Sequence, residues 1–292
     1  MKRIKAVLIL LFCTIGYLAA AQSRDTTFME SPVKVVTETG ELAGTLTMSD
    51  RGPGGPVALI IAGSGTTDRN GNSIFTQKNC LQMMARDLAN MGIASVRYDK
   101  RGIGQSAKAM KREVDLRFDD YINDAIAWVE FLKKDERFKS VTVIGHSEGS
   151  LIGMVAALKA GADKYVSIAG TGRPIDEILK EQLKGSEEMT NLATPVLDSL
   201  KQGLHVKVID RKLMTLFRPS VQPFMISWLK YDPRIEIKKL KIPVLLVQGT
   251  TDLQVTTENA KLLKAALPSG ELVVFQGMNH VLKLADADPK AN

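Results

Sequence analysis

Short apolar runs and helix-period segments take turns along most of this chain. Apolar and polar positions alternate with a period of two on both sides of Gly40, which predicts an antiparallel hairpin over 33–49. A Pro- and Gly-rich stretch, "RGPGGP" at 51–56, reads as a loop. The run "VALIIAG" (57–63) is continuously apolar, as a strand covered on both faces must be. Beyond it the spacing predicts helices over 79–92, 118–134, 150–161 and 257–268. Between them it predicts strands over 93–99, 140–145, 164–170, 242–249 and 271–277. Buried strands separated by helices call for an α/β fold with a mostly parallel sheet and right-handed crossovers.

Residues 171–240 interrupt this alternation with several short helical patterns broken by Pro and Gly. An insert of that length between two sheet strands predicts a helical cap over the carboxyl edge of the sheet. Its apolar side chains, among them Met214, Leu216, Phe217, Phe224, Met225 and Trp228, either line an acyl pocket or pack the insert's own core. Phe217, Phe224, Met225 and Trp228 are taken as the substrate-binding candidates. The chain thus divides into 1–21, a core formed by 22–170 with 241–292, and the cap 171–240.

The first segment changes the picture of where the protein works. A basic start (Lys2, Arg3, Lys5), an apolar run over 6–18 and a small-residue ending at Ala19–Ala21 predict a signal peptide cleaved near Ala21. The run is shorter than the roughly 20 residues that span a bilayer, so export to the periplasm or medium is expected, with no membrane attachment after cleavage. Cys13 follows Phe12 and lacks the small preceding residue of a lipidation site. Cys80 then stands alone and reads as a buried structural thiol in a helix, without disulfides. The net charge is +7, but three of those positive charges lie in the leader, and no basic cluster marks a nucleic-acid surface.

Candidate chemistry centres on "VIGHSEGS". Gly145-x-Ser147-x-Gly149 follows a strand and precedes a helix, the setting of a nucleophile elbow. Of three histidines, His146 adjoins the serine in a turn that points it away, and His205 lies in the insert. His280, in the loop after the last strand, is left as the general base. Asp252, in the loop after the preceding strand, is placed to orient that base. Oxyanion donors are expected from the backbone N–H groups of Glu148 and of Ser64, after "VALIIAG". "DRNGNS" (68–73) fails as a calcium loop, because Ser73 and Asn79 replace the required Gly and Glu, so Asp68, Arg69 and Asn70 are expected to brace the loop. Asp99 and Arg101 are expected to act as a loop-fixing pair, and the Glu148 side chain to have a local structural role.

With "AGSGTTDRNG", "VRYDKRGIGQS", "VIGHSEGS", "GTTDLQV" and "GMNHVLK", the mature chain resembles the α/β-hydrolase superfamily. Within it, the chain is similar to the bacterial esterase branch related to serine aminopeptidases and prolyl-oligopeptidase-type catalytic domains. The resemblance implies a Ser147–Asp252–His280 triad, no metal or other cofactor, and hydrolysis of small-molecule carboxylic esters. The same machinery acting on an amide bond, as an aminopeptidase with Glu148, Glu177 or Glu187 holding the free amine, is the second expectation. A non-catalytic binding protein on the same fold is the third. The twelve residues after His280 do not read as the closing helix such domains carry.

Overall fold

The computed structural model describes residues 28–50 and 55–286; the leader assigned to 1–21 lies outside them. Eight strands form one sheet in the order β1-β2-β4-β3-β5-β6-β7-β8. β1 (Phe28–Thr37) and β2 (Gly40–Ser49) make the hairpin, in register from Thr37 opposite Gly40 to Phe28 opposite Ser49. β2 then joins β4 (Ala94–Tyr98) antiparallel. All remaining neighbours are parallel: β4 with β3 (Pro56–Ile61), then β5 (Ser140–His146), β6 (Lys164–Ile168), β7 (Val244–Gly249) and β8 (Glu271–Phe275).

The continuous apolar run of β3 serves both faces by simple alternation. Val57, Leu59 and Ile61 face a core shared with α2 (Phe118–Lys133) and α3 (Glu148–Ala160). Ala58 and Ile60 face the other side, against Cys80, Leu81 and Ala85 of α1 (Cys80–Asn90). Cys80 is buried there as a free thiol, and burial raises its pKa. Helix α3 is buried almost all round in its first ten residues, so it has no polar stripe and reads as an apolar segment.

Within 171–240, α4 (Ile175–Leu183), α5 (Glu187–Lys201), α6 (Met214–Phe217) and α7 (Gln222–Trp228) surround a separate apolar cluster that includes Ile178, Leu197, Leu200 and Phe217. Pro195 sits inside α5. A fifth helix, α8 (Pro233–Ile237), had no clear sequence signal; its Ile237 packs into the sheet core. α9 (Thr257–Ala266) precedes β8, and no helix follows β8 among the described residues.

Candidate active site

The corner between β5 and α3 is shaped by contacts that no Cβ could survive. A Cβ on Gly145 would lie 2.1 Å from the carbonyl oxygen of Gly149, and one on Gly149 would lie 2.5 Å from that of Ile61. With both glycines packed this closely, Ser147 takes φ 56° and ψ −120°, a conformation that costs a side-chain-bearing residue about 1–3 kcal/mol. Neighbouring bonds hold it there: Ser147 N–H donates to the Ile168 carbonyl at 2.9 Å, and Ser150 N–H to the Ser147 carbonyl at 2.9 Å. The hydroxyl projects at the start of α3, whose first N–H groups have no partners within the helix.

The loops after β7 and β8 meet at the same edge. His280 Nδ1 donates to Asp252 Oδ2 at 2.9 Å, which leaves Nε2 as the ring's acceptor. Gln248 Nε2 shares Oδ2 at 3.0 Å, and Oδ1 accepts the N–H groups of Gln254 (2.9 Å) and Val255 (2.8 Å). Burial alone would raise the Asp252 pKa, but these bonds and the His280 ring outweigh it and hold the carboxyl below its usual range. His146 Nε2 donates to the His280 carbonyl at 2.8 Å, with the two rings 5.0 Å apart. Burial, and next the nearby His280, lower the His146 pKa from 6.5 to about 4, so it braces the His280 loop as a neutral ring. Ser147, His146 and His280 line one small cleft together with Gly63 and Ser64. Among the described residues no hydrogen bond joins the Ser147 hydroxyl to His280.

The flanking loops are tied down by charge. Asp68 Oδ1 accepts from Asn70 and Asn72 N–H, both at 2.8 Å, and Asn72 Oδ1 accepts from Lys78 and Asn79 N–H. These are bracing bonds, as expected of the 68–73 segment. Asp99 and Arg101 do not pair with each other. Asp99 takes Arg69 at 2.7 Å, and Arg101 donates through Nε to Asp124 at 2.8 Å. Glu148 is buried and accepts from Lys100 Nζ at 3.0 Å. Neither Lys100 nor Gln248 carried a sequence signal beyond lying at the carboxyl end of an apolar strand.

A cavity of about 500 Å³ opens beside Ser147, Ser64 and Glu148, bounded on the far side by the insert. Phe224, Met225 and Trp228 line it as expected, and so does Leu216. Phe217 does not; fully buried, it fills the insert's own core. Ile175, Ile178 and Leu179 of α4 complete the apolar wall, and sequence periodicity alone had not distinguished them from core positions. At the cavity margin Arg218 forms a bidentate pair with Glu113, which Ser220 also caps.

Comparison with known proteins places these features in a family context. The chain is 29% identical over 250 residues to esterase EstD of Thermotoga maritima, a match covering 82% of this chain and 58% of that esterase. The chain therefore spans little more than half the length of that relative. It is 25% identical over 248 residues to human monoglyceride lipase, covering 78% and 77% of the two chains. The fold is shared with Est1E of Butyrivibrio proteoclasticus, solved with ferulic acid bound (TM-score 0.62, 18% identity, 86% of this chain and 92% of that one). The family model described as serine aminopeptidase, S33, matches residues 76–234, more than half the chain and inclusive of the serine elbow and most of the insert. On that match, the chain belongs to the serine aminopeptidase S33 family of α/β-hydrolases.

Proposed function

We propose that this chain is an exported serine hydrolase that cleaves small-molecule carboxylic esters through an acyl-enzyme. The observation that carries the reading is the strained, cavity-facing Ser147 beside an imidazole already oriented by a buried carboxylate. Ser147 Oγ attacks the ester carbonyl carbon, and His280 Nε2 takes the hydroxyl proton. Ser64 and Glu148 N–H groups receive the oxyanion. The tetrahedral adduct then expels the alcohol, which leaves with the proton from His280. Water, activated by the same imidazole, attacks the acyl carbon and frees Ser147. Asp252 keeps Nδ1 protonated throughout and stabilises the imidazolium. The apolar wall of α4, α6 and α7 accommodates the hydrocarbon part of the ester. Export follows from the 1–21 segment.

The aminopeptidase reading needs a free carboxylate to hold a substrate amine. Two carboxylates line the cavity, and each has a cation partner: Glu148 has Lys100, and Glu113 has Arg218. Glu177 faces Arg234 at 3.7 Å and lies outside the lining, as does Glu187. This occupancy favours esters over aminoacyl amides.

A fluorophosphonate probe at neutral pH is expected to label the wild-type protein and not Ser147→Ala. Turnover of p-nitrophenyl esters is expected to exceed that of aminoacyl anilides. Unlabelled wild type would sink the hydrolase reading, and binding of esters without turnover would favour a non-catalytic role.

A further inference from the structure

We propose that Lys100 is a positioning residue that sets both halves of the oxyanion hole; the inference rests on the roles given above to Ser64 and Glu148. Lys100 leaves the end of β4 with its side chain only 2% exposed, and lies 5.0 Å over the Tyr121 ring. Its ammonium donates to the Gly63 carbonyl at 2.6 Å and to Glu148 Oε1 at 3.0 Å. One acceptor shares a peptide with the Ser64 N–H, and the other is the side chain of Glu148 itself.

The Gly63 carbonyl and the Ser64 N–H share one planar trans peptide, so anchoring the oxygen aims the N–H in the opposite direction. That peptide lies against the nucleophile, since a Cβ on Gly63 would be 3.2 Å from the Ser147 Cβ. Among the described residues nothing accepts from the Ser64 N–H, which leaves it available to a substrate oxygen. The second donor is the backbone N–H of Glu148, and the carboxylate of that same residue is the ammonium's other partner. One cation therefore links the loop after β3 to the first residue of α3. A charge-assisted bond to the Gly63 oxygen also polarises the peptide and strengthens its N–H as a donor.

A buried Lys–Glu pair is a poor source of stability, because desolvating two charges consumes most of their attraction. Fixing donors before charge develops is what makes an oxyanion site effective, since nothing then reorganises during the reaction.

The test compares an aryl acetate with its thiono analogue, whose sulfur accepts hydrogen bonds poorly and so draws little from the oxyanion hole. Lys100→Met is expected to lower kcat on the oxoester about tenfold to a hundredfold, with KM within about threefold. It is also expected to reduce the oxo-to-thiono ratio of kcat/KM by a similar factor. General damage to the site would lower both substrates alike. Should Lys100→Met fail to fold by circular dichroism, the double variant Lys100→Met/Glu148→Gln removes both charges together and is read in the same way. A folded variant with an unchanged ratio overturns the inference while leaving the hydrolase reading intact. A wild-type protein that fluorophosphonate does not label overturns that reading first.

Discussion

One wall of the cavity, at the carboxyl edge of the sheet, holds its side chains with ion pairs and backbone hydrogen bonds; the opposite wall, on the 171–240 insert, holds its own by apolar packing. On the sheet side Lys100 has Gly63 and Glu148, and behind the wall His280 has Asp252 and Asp99 has Arg69. On the insert side Leu216, Met225 and Trp228 are placed by the insert's own cluster, while Phe224 packs onto the sheet core beside Phe118 and Tyr121; Met225 belongs both to the insert cluster and to the lining. Directional bonds fix atoms to fractions of an ångström, as bond-making requires. Dispersion and burial fix shapes more loosely, which suits the hydrocarbon-binding role proposed for this surface. In the proposed reaction, chemistry and specificity thus rest on two kinds of force in two parts of one chain.

The sharpest way to break the polar wall is Asp252→Asn, which keeps the shape but loses the charge that orients His280. A fall in kcat of about 10⁴-fold is expected in ester hydrolysis, with the fold intact by circular dichroism. A loss under tenfold would remove Asp252 from the proposed triad.

On the apolar wall, neighbouring residues separate packing from lining. Phe217 is fully buried in the insert core, so Phe217→Ala is expected to cost about 3–5 kcal/mol in chemical denaturation. A cost below about 1 kcal/mol would mean that this cluster does not hold the insert together.

His146 ties stability to pH on the polar wall. Burial, then the adjacent His280, lower its pKa from 6.5 to about 4, while Asp252 pulls the other way. The unfolded chain binds a proton here that the folded chain refuses. Stability from this residue is therefore complete above pH 6.5 and is lost as the pH falls toward 4, by about 3 kcal/mol in total. His146→Gln keeps a side-chain N–H for the His280 carbonyl and should flatten the slope. Urea midpoints across that window check this, and parallel slopes for the two proteins would contradict it. The depressed pKa of Asp252 acts at lower pH, its contribution disappearing as the pH falls below the ordinary carboxylate range.

The smallest effect is expected from Leu216→Trp, which narrows the cavity without touching the sheet edge. Relative to acetyl esters, kcat/KM on longer acyl esters should fall about tenfold to a hundredfold. A panel of p-nitrophenyl esters of increasing acyl length reads this directly, and an unchanged chain-length profile would place the hydrocarbon elsewhere.

Much of the fold was legible because its signals are local. The alternation in β1 and β2, the unbroken apolar run of β3 and the helical periods of α1, α2 and α9 each depend on a few adjacent residues, and the observed elements begin and end within a few positions of those expected. The elbow was legible for the same reason, since two glycines flanking a serine encode a steric requirement within five residues. Other features depend on partners far away in sequence. Asp99 and Arg101 looked like a pair because they are close in the chain, yet each is paired across the fold. Leu216 and Phe217 are equally apolar, and only the rotation of α6 sends one to the cavity and the other into the core.

The order of strands and helices, the sharp corner at Ser147 and the candidate status of Asp252 and His280 follow from the sequence alone, because backbone sterics and hydrophobic period are written over neighbouring residues. The tertiary structure alone decided which buried charges meet, that Lys100 reaches both Gly63 and Glu148, and which face of the insert borders the cavity. Those outcomes depend on distances between segments tens to more than a hundred residues apart, which no local pattern specifies and which only the packed fold sets.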